Sequence, residues 1–290
     1  MSSSVASAVT DTITVADFER FRTLFYRKTG IHFEDSKRYF VDKRLRERMK
    51  QTGHETFKNY FTFMRFQASG EEFQNLTNAM TVNETYFFRE DYQFQTMCKY
   101  LMDELDGQRP QGQDLRIWSV PSSTGEEPYS IAIFLMEFWK GLAHRDVELV
   151  SSDIDTSVLA RAKAGIYSKR SVQNIPITIR QKYFTQQGQE FHLCDDIRES
   201  VSFSLANLVG TQNTKSFRSF DLIFCRNLLI YFDDDSRRQA AQVLYDALNP
   251  GGYIFLGHSE SMSRISSLFK VRKFGDVIVY QKPLFEGDRV

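Results

Sequence analysis

From residue 115 onward, short apolar runs alternate with helical segments, and this alternation constrains the fold more than any other feature of the chain. The apolar runs lie at residues 115–120, 147–151, 221–225, 253–256 and 277–280. Helical stretches occupy residues 129–139, 156–164 and 236–248 between them. Strands joined through helices form right-handed crossovers, which place the strands side by side and parallel. We therefore predict an α/β fold built on a doubly wound, mostly parallel sheet.

The N-terminal part of the chain shows a helical pattern alone. Apolar residues from Phe18 to Phe25 recur at spacings of three and four, as on one face of an amphipathic helix. Gly30 ends this helix, because glycine suits the left-handed conformation that follows a helix. Ser36 is expected to cap the next helix, and two more are predicted within residues 57–80. This pattern predicts a small helical domain.

The sequence thus divides into a helical domain with its linker over residues 1–84 and a second domain over residues 85–290. Residues 170–203 do not follow the alternation of strands and helices. They hold short alternating runs at 191–193 and 201–203, separated by acidic residues and preceded by Gly188. This stretch predicts a small antiparallel β-insertion on the main sheet.

Composition excludes several classes of protein. The chain has 37 basic and 37 acidic side chains, and a net charge of zero excludes a globally basic nucleic-acid-binding protein. Its three cysteines are widely spaced and form no C-x-x-C pair, which favours a reducing compartment. The first residues show no leader pattern, and the longest apolar stretch, residues 131–136, is far shorter than a membrane span. The histidines show no metal-ligand spacing. We expect a soluble, cytoplasmic protein without a metal.

The net charge of zero is the sum of a positively charged segment and a negatively charged remainder. Residues 20–65 contain 13 bases and 5 acids, a net charge of +8, and the other 24 bases and 32 acids leave the rest of the chain at −8. At about 100° per residue, Lys43, Arg46 and Lys50 lie opposite the apolar face of the second predicted helix. This basic face predicts docking of an acidic partner surface. The alternative is an ordinary solvated face.

The loop after the first predicted strand is the first place to look for a ligand. It carries one glycine, Gly125, and not the G-x-G-x-x-G of a dinucleotide site. Glu126 and Glu127 stand where a pyrophosphate would bind, and their charge would repel it. A cationic ligand group, such as an amine or a sulfonium, fits better. The alternative is that the two acids only favour a helix N-terminus.

Acidic residues also follow the second predicted strand. Asp155 precedes a helix and is expected to cap it, which leaves Asp153 to accept hydrogen bonds from ribose hydroxyls. The pairs 207–208 and 226–227 fall in later loops at the same edge of the sheet. Taken singly, either pair also fits an ordinary loop.

Six segments, in this order, resemble the chemotaxis receptor methyltransferase family. They are GI…KR…V…RLRER (30–48), NETYFFRE (83–90), STGEEPYSIA (123–132), SSDIDTSVLARA (151–162), FDLIFCRNLLIYF (220–232) and LNPGGYIFLGHSES (248–261). This resemblance to CheR-type enzymes spans about residues 15–282. It implies a class I, Rossmann-like methyltransferase that uses S-adenosylmethionine to convert chemoreceptor glutamates to methyl esters, giving S-adenosylhomocysteine. It further implies a monomer acting in chemotactic adaptation on the cytoplasmic coiled coil of the receptors, with neither nucleic acid nor membrane insertion.

The resemblance also implies roles for individual residues. Nine match the family's cofactor-binding positions: Asn83, Thr85, Arg89, Glu126, Asp153, Asn207, Leu208, Arg226 and Asn227. Two match catalytic positions, where Arg89 would hold the carboxylate of the acceptor or of the cofactor and Tyr231 would donate a hydrogen bond near the methyl group. Without the resemblance, Arg89 fits a surface arginine and Tyr231 a core aromatic. Lys43, Arg46 and Lys50 become the predicted receptor-docking face.

Two other functions stay open at this point. One is an enzyme that methylates another protein or a small molecule, and the other is a non-catalytic module that binds the cofactor as a sensor. The sequence has no N-P-P-Y string, which disfavours a nucleic-acid methylase. Some family members hold a receptor C-terminal peptide on the β-insertion. The compact turn at residues 187–189 argues against that here.

Overall fold

The computed structural model describes residues 13–209, 214 and 216–285. The chain divides into two compact units between Thr81 and Val82, and each unit is described by itself. The first twelve residues, in which the sequence shows no leader pattern, lie outside the described part.

The described part of the N-terminal unit consists of α-helices, as predicted. They are α1 Val15–Thr29, α2 Arg38–Gln51, α3 Phe57–Phe66 and α4 Glu71–Met80. Helix α1 begins with a capping box, in which the Thr14 side chain accepts from the Asp17 amide and the Asp17 side chain accepts from the Thr14 amide. It ends at Gly30, whose φ of 75° is the conformation predicted there. The core between the helices includes Phe18, Phe21, Phe25, Leu45 and Tyr60.

The start of α2 differs from the prediction. A short 3-10 turn, Asp35–Lys37, precedes the helix, and Lys37 is its N-cap without a side-chain hydrogen bond. Ser36 therefore does not cap α2, because it lies inside the turn.

The strands of the second unit are β1 Leu115–Ser119, β2 Val147–Asp153, β3 Ile166–Ser168, β4 Phe184–Gln187, β5 Glu190–Leu193, β6 Val201–Leu205, β7 Phe220–Cys225, β8 Leu248–Leu256, β9 Lys270–Phe274 and β10 Val277–Gln281. Its helices are α5 Asp91–Thr96, α6 Met102–Gln108, α7 Glu126–Phe138, α8 Thr156–Ala164, α9 Lys169–Val172, α10 Ile177–Tyr183, α11 Asp195–Glu199 and α12 Asp234–Ala247. A π-helical turn, Met97–Leu101, joins α5 to α6.

Seven strands form the main sheet in the order β6-β2-β1-β7-β8-β10-β9. The first five strands in this order run parallel to one another, whereas β10 pairs antiparallel with both β8 and β9. Ile117 of β1 lies beside Leu149 of β2 and Leu222 of β7, and all three are buried. The prediction of a doubly wound, mostly parallel sheet is confirmed.

The small antiparallel sheet is present, but its extent differs from the prediction. It has the strand order β3-β5-β4 and so begins earlier in the chain, at Ile166. The alternating run at 201–203, predicted to belong to the insertion, is part of β6. That strand pairs parallel with β2 at the edge of the main sheet, with Val201 beside Leu149. The short alternating run was misleading, because an edge strand and a strand of a small insertion have the same pattern.

Candidate active site

The strand order reverses at β1, which pairs with β2 on one side and with β7 on the other. In doubly wound sheets, ligands bind at the carboxyl ends of the strands beside such a reversal. Predicted site residues follow these strands closely: Glu126 follows β1, Asp153 ends β2 and Arg226 follows β7.

Gly125 shapes the loop after β1. Its φ is 96°, a conformation that favours glycine, and it directly precedes α7. A Cβ at this position would lie 2.9 Å from both the Tyr129 ring and the Tyr167 hydroxyl. The same hydroxyl donates to the Thr124 carbonyl at 2.9 Å. The loop is thus fixed closely against helix α7 and strand β3.

Glu126 is buried at the start of α7, with 2% of its surface exposed. Its carboxylate accepts hydrogen bonds from the Thr124 hydroxyl at 2.6 Å and from the Ser171 hydroxyl at 3.0 Å. Burial raises the pKa of Glu126, and these hydrogen bonds oppose the rise. An ionised carboxylate in such surroundings attracts a cation strongly, because the low local dielectric strengthens charge interactions.

Asp153 is buried at the end of β2. Its Oδ2 accepts from the Ser123 amide at 2.8 Å and its Oδ1 accepts from the Asp155 amide at 3.0 Å. Burial raises the pKa of Asp153 to about 6, although the backbone donors oppose it. The Ile154 amide also donates to Asp153, and a carboxylate has about four acceptor positions, so Asp153 keeps the capacity to accept from one further donor.

Asp155 is the N-cap of α8, as predicted. Its Oδ1 accepts from the Ser157 amide at 2.8 Å and from the Val158 amide at 3.2 Å. Its Oδ2 accepts from the side-chain amide of Asn83 at 3.0 Å. The predicted cofactor residue Asn83 is thereby attached to the loop after β2, adjacent to Asp153.

Arg226 is buried, and its guanidinium connects three segments of the unit. It lies 3.1 Å from the Glu127 carboxylate and 3.2 Å from the Glu90 carboxylate, and it donates to the Arg89 carbonyl at 2.7 Å. Burial raises the pKa of Glu127, although the positive charge of Arg226 opposes this rise. Burial also opposes ionisation of Glu90, but Arg226 and His258 outweigh it, and the pKa of Glu90 is lowered. Arg226 therefore positions the loops around the site through these three partners.

The backbone at Asn227 is held by Glu260, a residue that the sequence analysis did not single out. Its amide donates to Glu260 at 2.7 Å, and the same carboxylate accepts from the Leu229 amide at 2.8 Å and the Gly257 amide at 2.9 Å. Glu260 thus holds the loop after β7, in which Asn227 has a φ of 57°. Glu90 was missed in the same way. Both glutamates lie inside the segments NETYFFRE and LGHSES, which carried the resemblance.

Arg89 and Tyr231, the two predicted catalytic residues, are both at least partly exposed. Arg89 is half-buried and donates to the Glu84 carbonyl at 3.1 Å, so it is not a free surface arginine. Tyr231 is 38% exposed at the end of a 3-10 turn, so it is not a core aromatic. Burial raises the pKa of Tyr231, and the charge of Arg89 opposes this rise.

The remaining predicted cofactor positions differ in exposure. Leu208 is buried, whereas Asn207 and Thr85 are half-buried. The side chain of Asn207 accepts from the Val209 amide at 3.0 Å, which fixes the loop that follows β6.

The predicted docking face lies in the N-terminal unit. Lys43, Arg46 and Lys50 are all exposed on α2, opposite its buried apolar residues. Arg46 lies 3.9 Å from Asp42, a distance at which the ion pair is weak. The pKa of Asp42 is raised, because its burial outweighs the attraction of Arg38 and Arg46.

The part of the chain that the structure describes shows neither a metal-binding cluster nor a membrane-spanning helix. No group of three or more histidine, cysteine or acidic side chains there is arranged to hold a metal ion. None of the helices in that part of the chain is long and apolar enough to cross a membrane.

Comparisons with known proteins identify the chain. The family model described as "CheR methyltransferase, all-alpha domain" matches residues 16–81, and "CheR methyltransferase, SAM binding domain" matches residues 83–278. Chemotaxis protein methyltransferase 2 of Vibrio cholerae is 54% identical over 93% of this chain and 94% of that protein. Chemotaxis protein methyltransferase of Escherichia coli is 35% identical over 89% of this chain and 88% of that protein.

Among solved structures, N-methyltransferase NodS from Bradyrhizobium japonicum in complex with S-adenosyl-l-homocysteine aligns with a TM-score of 0.40 and 13% identity. The alignment covers 71% of this chain and 92% of that one. The fold and the family matches together define an S-adenosylmethionine-binding methyltransferase. The chain belongs to the CheR methyltransferase family.

The residues at the strand reversal fit such a cofactor. The buried hydroxyls of Ser122 and Ser123, in the loop after β1, have no hydrogen-bond partner within the described chain. They lie beside Asp153, which retains acceptor capacity. Buried polar groups without partners carry a free-energy cost, which a polar ligand at this edge would remove.

Proposed function

We propose that this protein transfers the methyl group of S-adenosylmethionine to glutamate side chains of chemoreceptors, forming glutamyl methyl esters and S-adenosylhomocysteine. The reaction would serve adaptation in bacterial chemotaxis, with the enzyme acting as a cytoplasmic monomer. The observation that carries the proposal is the pair of buried carboxylates, Glu126 and Asp153, at the strand reversal of a chain that matches both family models.

The binding roles follow from the charges of the ligand. Glu126 would attract a cationic group, and Asp153 would accept from the ribose hydroxyls. Asn83, Thr85, Asn207, Leu208 and Asn227 would line the rest of the site. Arg226 was also expected to contact the cofactor. Its buried guanidinium already binds Glu90 and Glu127, which supports a positioning role through these partners.

The acceptor needs little activation. A glutamate side chain has an ordinary pKa of about 4.3, so at neutral pH it is already an anionic nucleophile and needs no general base. When bound, S-adenosylmethionine supplies a methyl group on a positively charged sulfur. The protein must align the acceptor and exclude water. Arg89 would hold a carboxylate, of the acceptor or of the cofactor, and Tyr231 would donate a hydrogen bond near the methyl group.

We assign receptor docking to the helical domain and its linker, residues 1–84, and catalysis to residues 85–290. The exposed bases Lys43, Arg46 and Lys50 on α2 support this assignment. Receptor methylation regions are coiled coils rich in glutamate, and a basic helix face is complementary to their charge.

Transfer of labelled methyl groups to receptor-containing membranes tests the proposal. Label that mild base releases identifies methyl esters, because amide, amine and ether methyl groups survive this treatment. Arg89→Ala and Tyr231→Phe should each reduce turnover. Unchanged turnover in either variant would remove the corresponding role, and base-stable label would point to another acceptor. Cofactor binding without any transfer would favour a sensor module.

A further inference from the structure

A groove in the N-terminal unit has no part in the proposed function. It lies between α1 and α3 and encloses about 530 Å³. Its apolar lining consists of Leu24, Phe57, Phe61 and Phe66, and Phe66 is 72% exposed. The groove therefore combines a concave apolar floor with one strongly exposed aromatic ring.

Four cations rim this groove. They are Arg20 and Arg27 on α1, and Lys58 and Arg65 on α3. All four are exposed, and none of them forms an ion pair with another described residue. The one acid in the lining, Glu19, already pairs with Arg22 at 2.6 Å. The groove therefore presents positive charge without an internal counter-charge.

The spacing of the cations matches a helical partner. On each helix the two cations are seven residues apart, which places them about 10.5 Å apart along the axis. Two rows of positive charge thus flank an apolar floor. An amphipathic helix that carries acidic side chains on both sides of an apolar stripe has the complementary pattern.

We propose that this groove, lined by α1 and α3, binds a single acidic amphipathic helix of a protein partner. The inference goes beyond the proposed function, because it assigns a second protein-binding surface that α2 does not supply. A folded coiled coil buries its apolar stripe in its own core and offers only polar faces. It suits the basic face of α2, whereas the phenylalanines of the groove require a partner helix with a free apolar side.

A synthetic peptide tests the groove in the full-length protein. The probe is a fluorescent helix of about 18 residues, or five turns. It carries leucines at i, i+3, i+4 and i+7, with glutamates beside them, and a control peptide has lysines in place of the glutamates. We expect the glutamate peptide to bind, and its fluorescence anisotropy to decrease as salt is raised.

Two double variants, which change the net charge of the protein equally, show where the peptide binds. Arg27→Glu with Arg65→Glu should weaken binding about tenfold or more, since two attractive contacts become repulsive. Lys43→Glu with Lys50→Glu, on α2, should leave the Kd unchanged. Phe66→Ala should also weaken binding, and circular dichroism should show the native helix content in every variant.

Three results would overturn the inference. One is equal binding of the glutamate and lysine peptides, and another is an equal loss of binding in the α2 variant and the groove variant. The third is binding of a nucleotide such as ADP that depends on Arg27 and Arg65 when neither peptide binds. That outcome would assign the groove to a small anion instead.

Discussion

Gly125 is the single residue whose replacement should disturb the site most directly. Gly125→Ala would place a Cβ 2.9 Å from two aromatic side chains at a φ of 96°, and we expect it to destabilise the protein by about 1–3 kcal/mol. Chemical denaturation measures this change. Gly188→Ala is the matched control, since its φ is also positive but no atom lies within 4 Å. Equal effects of the two substitutions would show that crowding at Gly125 is unimportant.

Asp153 should give cofactor binding a pH dependence. In the proposed role, ribose hydroxyls would donate to the ionised Asp153 carboxylate, whose pKa is raised to about 6 by burial. Affinity for S-adenosylhomocysteine should therefore be highest well above pH 6, where Asp153 is fully ionised, and decrease as the pH falls through that value. Asp153→Asn should bind about ten- to a hundredfold more weakly, with a flatter profile. Calorimetry across this pH range measures both, and an identical profile in the variant would exclude Asp153 as the source.

Individual residues were predictable from the sequence where the cause is local. Asp155 precedes α8 by one position and caps it as predicted, and Gly30 ends α1 as predicted. Ser36 does not cap α2, because it lies inside a 3-10 turn that precedes the helix. No pattern in the sequence indicated that turn. Glu90 was not predicted, because its partner Arg226 is remote in the sequence and meets it only in the folded chain.

At the scale of elements, Arg226 connects the segments around the site. Removing its charge by Arg226→Met would leave Glu127 buried without its cationic partner, and we expect a loss of about 3–5 kcal/mol in the free energy of unfolding. Urea denaturation at neutral pH tests this. Arg226→Lys keeps the positive charge but not the several N–H donors of the guanidinium. Its free energy of unfolding should therefore decrease less. A loss below about 1 kcal/mol in the methionine variant, the range of a surface pair, would refute the positioning role.

The basic face of α2 should matter for the receptor and not for the cofactor. Reversing Lys43, Arg46 and Lys50 to glutamate should raise the KM for receptor methylation about tenfold or more, because attraction becomes repulsion. Affinity for S-adenosylhomocysteine should stay unchanged. Reversal of Arg20, Arg27 and Lys58 changes the net charge equally and is the control. Equal loss of receptor methylation and cofactor affinity would reject docking by α2.

The central strands of the main sheet were predictable because their apolar runs are largely buried, whereas the half-exposed edge strand β9 was not predicted. β7 is buried throughout, and its run is unmistakable in the sequence. β6 was assigned to the wrong sheet, since its alternating pattern records only a half-buried strand and not its neighbour. Pairing of β6 with β2 is a long-range property that periodicity does not specify.

At the scale of the whole molecule, the division between Thr81 and Val82 permits a separation of activities. All predicted cofactor residues follow this division. A fragment of residues 82–290 should bind S-adenosylhomocysteine with nearly the affinity of the full chain and should methylate receptors far more slowly. Calorimetry and a methyl-transfer assay on the same sample test this. A folded fragment without cofactor affinity would require the N-terminal unit for cofactor binding.

The distribution of charge over the chain leads to the same separation. A net charge of +8 lies within residues 20–65, although the protein as a whole is neutral. From the sequence alone we therefore predict that the helical domain docks an acidic partner. The sequence could not predict that seven of the exposed bases line two surfaces, the face of α2 and the groove between α1 and α3, because that depends on how the helices pack.

The central claim is that the acceptor is a glutamate side chain of a chemoreceptor. Peptide mapping by mass spectrometry, after incubation of the full-length protein with S-adenosylmethionine and a soluble receptor coiled coil, tests it most directly. We expect methyl groups on glutamate side chains that mild base removes, and fewer of them when the Arg89→Ala variant replaces the native enzyme. Methyl groups on nitrogen atoms, or an unmodified receptor in the presence of an enzyme that binds the cofactor, would contradict it.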